Sequence, residues 1–357
     1  EAPGQAVGRR LARPPRAQVS KSTVSVSFTT RTAFGIVSAL LLTVAGASAC
    51  SSSAESDTAS ATRSVTHELG TVEVPASPQR ILALDEYAGL SALALGVKPT
   101  VVYSTLRSDV AKSILREQGV EVLDKPTFFA NPAVEEIASV EPDEILMSNA
   151  GPLPSLFAQI NAVAPTLVLP YSAPWRDVLE QAGAQLDRGS EATAMIGKLE
   201  SGLEGVKSAA GGQSLAILLG YSGNLFTVPP TTPISTLVTE AGFTRPASEV
   251  NATNNQDTGT ISPVSPELLP EHAAQTVAVL SGQQYDASIV RNTPLFDNLT
   301  PDPAHALDVS GDLWFGSHPF AIYWIIQDLD GIAHGKGQSG IGTLDSADAR
   351  WAAFSAL

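Results

Sequence analysis

Short apolar runs and helically spaced segments alternate along this chain in two series, with one long helical stretch between them. This alternation constrains the fold more than any single motif does. Strands separated by helices pair in parallel while the helices cover the sheet faces. The first series places strands at 80–85, 99–104, 121–123, 144–148 and 166–169, and helices at 87–95, 108–117, 133–140, 153–161 and 175–185. The long stretch covers 190–209, where Ala192, Ile196, Leu199, Leu203 and Val206 recur at three- and four-residue steps and mark one apolar face. Ser190 beside Glu191 offers an N-cap, and Gly211-Gly212 a stop. The second series has strands at 214–221, 225–228, 276–280 and 305–309 and helices at 234–241 and 319–334. It is interrupted by a polar stretch, 249–262, that reads as a loop or flap. Because the alternation restarts directly after it, the long helix is expected to be a strut between two α/β halves rather than one more covering helix.

Charge separates the start of the chain from the rest. Residues 1–49 hold six of the 21 basic residues and one of the 36 acidic ones, leaving 15 basic against 35 acidic residues beyond, a net of −20. That balance argues against nucleic acid as a partner, since phosphate binding needs clustered Lys and Arg. A basic start followed by an uncharged apolar run, 33–47, reads as an export signal over 1–49. The run ends in Ala47-Ser48-Ala49-Cys50, which resembles a bacterial lipobox and makes Cys50 the candidate lipidation site; ordinary cleavage after Ala49 would instead leave a free thiol. Since Cys50 is the one cysteine, no internal disulfide framework or multi-cysteine metal site is possible. The Ser-, Thr- and Ala-rich stretch 50–65 reads as a flexible tether, with the folded part starting near Thr66.

The segments SPQRILALDEYAGLSALALGVKPTVV (77–101), NPAVEEIASVEPDEIL (131–146) and ISPVSPELLPEHAAQTVAVL (261–280) together resemble the ferric-siderophore and cobalamin family of ABC-transporter solute-binding lipoproteins. The resemblance spans about 66–340. It implies two Rossmann-like lobes, here 66–186 and 213–357, joined by a single long interdomain helix within 187–212, with a ligand cleft between the lobes and little closure on binding. It implies a monomer, lipid-anchored to the outer face of the cell membrane, that takes a ferric siderophore as cargo, needs no cofactor and delivers to an ABC permease. Glu135 and Glu267 match the family's two permease-docking glutamates, with Glu136 an adjacent alternative for the first. Exposed carboxylates steer and orient docking.

Ligands of open α/β sheets bind beyond the carboxyl ends of strands. Tyr87, Arg107, Asn149, Trp175, Tyr221, Arg291 and Trp314 are the candidates on that rule. Arginine supplies a permanent charge and a planar donor fork, and Tyr and Trp supply flat contact area with a polar tip. Basic residues are scarce after position 212, where only Arg245, Arg291, Lys336 and Arg350 occur. The five histidines are scattered, and none forms an H-E-x-x-H pair. Direct metal binding, for which His318 and Asp312 would be the partners, is therefore not expected. Gly220-Tyr221-Ser222-Gly223-Asn224 lacks the last glycine of a nucleophile elbow, and the G-x-G-x-x-G letters at 335–340 follow a helix, not a strand. The readings that compete are cobalamin or haem in the same fold, an exported hydrolase using Ser222, and a cell-wall interaction protein with a degenerate cleft.

Overall fold

The computed structural model describes residues 61–253 and 260–357. The signal segment, Cys50, most of the expected tether and residues 254–259 of the polar stretch lie outside the described residues. No helix among the described residues is long and apolar enough to cross a membrane.

The chain enters through an antiparallel hairpin, β1 (Thr62–His67) and β2 (Gly70–Pro75). This pair was not expected, and it turns residues 62–65 from tether into strand. Its alternation places Val65, Val72 and Val74 inward, against the edge of the first sheet.

The first lobe then builds β3 (Ile81–Ala83), α1 (Glu86–Ala94), β4 (Val101–Ser104), α2 (Asp109–Glu117), β5 (Glu121–Asp124), α3 (Val134–Ser139), β6 (Glu144–Ser148), α4 (Leu153–Asn161), β7 (Thr166–Leu169) and α5 (Trp175–Gln185). Its five strands are all parallel, in the order β5-β4-β3-β6-β7, so the chain reverses its direction of growth at β3. Asp85 and Ser108 cap α1 and α2 by accepting from Ala88 N–H and Ala111 N–H, so the helices start directly past their strands.

The strut is α6 (Gly189–Ala210), and Gly211 ends it in the left-handed region. Its N-cap is Arg188 and not Ser190, whose hydroxyl bonds the Glu191 carboxylate instead. α6 lies against α5, where Ala192 faces Gly183; a Cβ at Gly183 would come within 2.5 Å of Ala192 Cβ, so only glycine permits this approach.

The second lobe contains β8 (Leu215–Tyr221), β9 (Asn224–Thr227), α7 (Pro233–Glu240), α8 (Ala247–Val250), β10 (Ser262–Pro263), β11 (Thr276–Ser281), α9 (Ala287–Arg291), β12 (Ala306–Ser310), α10 (Gly311–Trp314), α11 (Pro319–Ala333) and α12 (Ala347–Ser355). The sheet order is β10-β9-β8-β11-β12. It is mixed: β8, β11 and β12 run parallel, but β9 returns antiparallel to β8. Only Ser222 and Gly223 separate β8 from β9, and a two-residue connection closes a hairpin, whereas a parallel crossover needs a dozen residues or more. The polar stretch 249–262 is not wholly a loop, because β10 pairs with β9 and Glu249 is buried.

The C-terminal helices do not stay with the second lobe. α11 packs on α6 and on α1 and α5, and α12 packs on α2 of the first lobe. Nearly every side chain of α11 is buried, as expected of a helix covered on all sides. One apolar core therefore runs from Leu90 and Val102 through Phe320, Trp324 and Phe354 to Ile217 and Leu280. α6 links the two sheets along the chain, and the returning C-terminal helices join the lobes a second time.

Candidate ligand cleft

The carboxyl ends of both sheets open onto a shared cleft of about 370 Å³. From the first lobe, Phe128 and Phe129 follow β5, Asn149 to Gly151 follow β6, and Tyr171 and Ser172 follow β7. From the second lobe, Tyr221 ends β8, Thr232 to Ile234 open α7, Gln284 and Tyr285 follow β11, and Phe315 and Ser317 lie past β12. Thr260 and Ile261 complete the wall. Pro233 at the first position of α7 and the Thr232 cap start that helix at the rim.

Aromatic surface dominates. Tyr87 stacks on Tyr171 at 5.1 Å between ring centres, and Tyr285 stacks on Phe315 at 5.3 Å. Phe129 holds a positive φ of 50°, and its ring lies over Gly151, where a Cβ would sit 2.6 Å from the ring. Below the cleft is a recess of about 20 Å³ bounded by Tyr87, Leu106, Ser108, Tyr171, Tyr285 and Asp312, among others. Two hydrogen bonds cross between lobes here: Tyr87 Oη donates to the Asp312 carbonyl at 2.8 Å, and Gln283 Nε2 to Asp109 Oδ2 at 3.1 Å.

The floor is acidic. Burial, reinforced by the nearby Asp109 and Glu86 carboxylates, pushes Asp312 up to about 7. Burial also pushes Glu86 to about 7, although Ser104 Oγ and the Leu106 and Ser108 amides donate to it. Asp85 is raised by burial too, against donors from Ser148 and Ala88. Burial raises the Tyr87, Tyr171 and Tyr285 phenols, which stay neutral donors at physiological pH. His318 caps α11 by accepting from Ala321 N–H and tilts against Tyr87; burial lowers it to about 3, so the imidazole is neutral. An aromatic cavity with hydroxyl and amide tips binds a bulky ligand by flat contact and directed hydrogen bonds.

No family model matches the chain. In sequence it is 29% identical over 249 residues to "Probable siderophore-binding lipoprotein YfiY" of Bacillus subtilis, covering 66% of this chain and 75% of that protein. The chain is homologous to this lipoprotein. In structure it resembles SirA of Staphylococcus aureus, solved in complex with staphyloferrin B, with a TM-score of 0.59 at 18% identity over 76% of this chain and 98% of SirA. It also resembles PiaA of Streptococcus pneumoniae, an iron uptake ABC transporter substrate-binding protein solved with ferrichrome. That match has a TM-score of 0.56 at 16% identity, covering 77% of this chain and 99% of PiaA. These two likenesses establish the two-lobed fold.

Against the cleft of this protein the sequence-predicted residues divide. Asn149 and Tyr221 line it, and Tyr87 lines the recess beneath. Arg107 does not line it: it sits half-buried at a positive φ of 61° on the loop past β4, where Asp109 feels its charge. Trp175, Arg291 and Trp314 lie elsewhere. Trp175 opens α5 pointing into the core, under the Arg176 guanidinium. Arg291 pairs with Asp308 at 2.6 Å and covers Phe296. Trp314 is fully buried and donates to Asp328 at 2.8 Å. Tyr171 and Tyr285 were missed, although each lies just beyond a strand end and the same rule reaches them. Phe128 and Phe129 lie in irregular chain past β5 and carried no signal.

The remaining motifs settle into ordinary structure. Ser222 is the exposed corner of the β8–β9 hairpin, not a strand-to-helix elbow, and among the described residues no histidine hydrogen-bonds to it. Residues 335–340 form a turn packed on α11.

Proposed function

We propose that this chain is the solute-binding component of an ABC importer and captures a ferric siderophore outside the membrane. The observation that carries this reading is the aromatic, hydroxyl-tipped cleft built from the strand ends of both lobes. Homology to a siderophore-binding lipoprotein supports the cargo, and the likeness to PiaA supports the transporter context. The siderophore contacts Asn149 and Tyr221 together with Tyr171, Tyr285 and Phe129. Its iron arrives chelated, and the chain serves as a binding protein, not an enzyme.

The same reading places the protein outside the cytoplasm as a monomer anchored through lipidated Cys50. Glu135 and Glu267 dock it onto the permease. Glu135 is exposed in the first turn of α3, and Glu267 is exposed in the first turn of the 3-10 helix Pro266–His272, one on each lobe. Neither makes an ion pair among the described residues, whereas the alternative Glu136 is bound to Lys125.

Binding is tested by titrating ferric siderophores, haem and cobalamin into the purified protein and into Tyr221→Ala and Tyr285→Ala. Each substitution removes an aromatic anchor and is expected to weaken siderophore binding about tenfold or more, with thermal stability retained. Saturation by haem or cobalamin alone would replace the cargo assignment. The docking role is tested with Glu135→Arg plus Glu267→Arg. Radioiron uptake by cells should fall to background while binding by the purified protein is unchanged.

A further inference from the structure

The cleft contains no counter-charge for an anion. Among the described residues lining it, none is Lys, Arg or His, and the sequence between Thr253 and Thr260 has no basic residue. The four cations after residue 212 lend none, because each is held by a carboxylate. Arg245 is held by Glu249, Arg291 by Asp308, Lys336 by Asp330 and Arg350 by Asp328. In the first lobe, Lys112 is shared by Asp109 and Asp124, and Lys125 is buried against Glu136 and the Tyr103 ring. Arg107 stands on the loop beside the recess, facing Asp109. What lies under the cleft is instead a set of carboxyls, Asp312 at the recess with Asp85 and Glu86 behind it.

We infer that the cleft selects an uncharged or singly cationic ferric complex of the trihydroxamate type, and rejects polyanionic ferric catecholates and carboxylates. This rests on the siderophore reading and narrows it. Three hydroxamates balance the charge of ferric iron and leave a neutral complex with carbonyl-type oxygens. Tyrosine hydroxyls and the amides of Asn149 and Gln284 are donors for such oxygens. A pendant ammonium would be drawn to Asp312. A tris-catecholate carries three unmatched negative charges into the same space. Like charge brought near an ionised carboxylate weakens binding by up to the factor that protonating that carboxyl costs, about tenfold one pH unit above its pKa. The likeness to SirA and PiaA does not decide this question, since those two were solved with different siderophores.

The test is equilibrium dialysis of the purified protein with three radioiron-labelled complexes: a neutral cyclic trihydroxamate, a linear trihydroxamate with a free ammonium, and a trianionic tris-catecholate. Both hydroxamates should bind at least about 100-fold tighter than the catecholate. Asp312→Asn keeps the backbone carbonyl that Tyr87 uses, and with dialysis at pH 8 it should narrow that gap by about tenfold. Catecholate binding equal to or tighter than hydroxamate binding, or a gap that Asp312→Asn leaves unchanged, overturns the charge assignment. Tight catecholate binding that is lost in Arg107→Gln overturns it as well, by showing that the rim arginine supplies the counter-charge. Failure of all three complexes to bind overturns the siderophore reading instead.

Discussion

Glu144 and Asp312 are raised by burial and make no ion pair among the described residues, and each makes stability or binding depend on pH. Glu144 starts β6 fully buried, and its Oε2 finds no hydrogen-bond partner among the described residues. Burial pushes it to about 7, with Arg63 offsetting part of that and Asp143 adding to it. A folded-state pKa above the unfolded one favours the protonated fold. The contribution is therefore fully present below about 4.5 and lost as pH rises through about 7. Glu144→Gln should flatten the loss of stability between pH 5 and pH 8 and gain at most ~3 kcal/mol at pH 8; urea melts at the two pH values measure it. Asp312 acts on binding in the same pH range. It faces Asp109 and Lys112 from α2, Glu86 from α1, the Tyr87 and Tyr285 phenols, and the Gln283 amide. Because it ionises through about 7, affinity for a cationic ferric complex should rise from pH 6 to pH 8, while affinity for a neutral one stays flat. Dialysis at the two pH values separates these outcomes.

Among the elements, α11 has the greatest structural reach. It touches the strut, two helices of the first lobe and the C-terminal turn, and His318 and Pro319 begin it at the edge of the cleft. Gly331 is where that turn comes closest: a Cβ there would lie 2.6 Å from the Gly340 carbonyl oxygen. Backbone cannot step aside as a side chain can, so Gly331→Ala should destabilise by about 1–3 kcal/mol, read as a lower midpoint in a thermal melt, with the cleft composition untouched. The 3-10 helix bearing Glu267 is anchored in a comparable way. Its buried His272 bonds Glu249, which also takes Arg245 and the Ile217 amide. Glu249→Ala leaves a buried guanidinium unpaired and should cost about 3–5 kcal/mol, and it should disturb docking before it disturbs the cleft.

At the scale of the whole molecule, the continuous core and the packing of α12 on α2 oppose large hinge opening. Separating the lobes would expose Phe320, Trp324 and their neighbours to water. Small-angle scattering should show a radius of gyration that changes by less than about 1 Å when ligand binds. A larger change would mean that α11 and α12 detach. Much of the local structure was legible from the residues alone, because the signals act within a turn or two of the chain. The strut's apolar stripe, its Gly211 stop and the strand runs at 144–148 and 166–169 all follow from contacts between near neighbours in sequence. The rule that ligands sit past strand ends pointed to Asn149 and Tyr221, which line the cleft, for the same reason. Where a side chain points is a different matter. Trp175 and Trp314 were drawn into the core, and Arg291 was taken by Asp308. These outcomes depend on partners several turns away, 17 residues on for Arg291 and 14 for Trp314. The return of α12 to the first lobe, the aromatic wall shared by Phe129 and Tyr285, and the lack of any cation among the described residues lining the cleft were likewise decided by tertiary packing, because burial and charge pairing are settled only when distant segments meet.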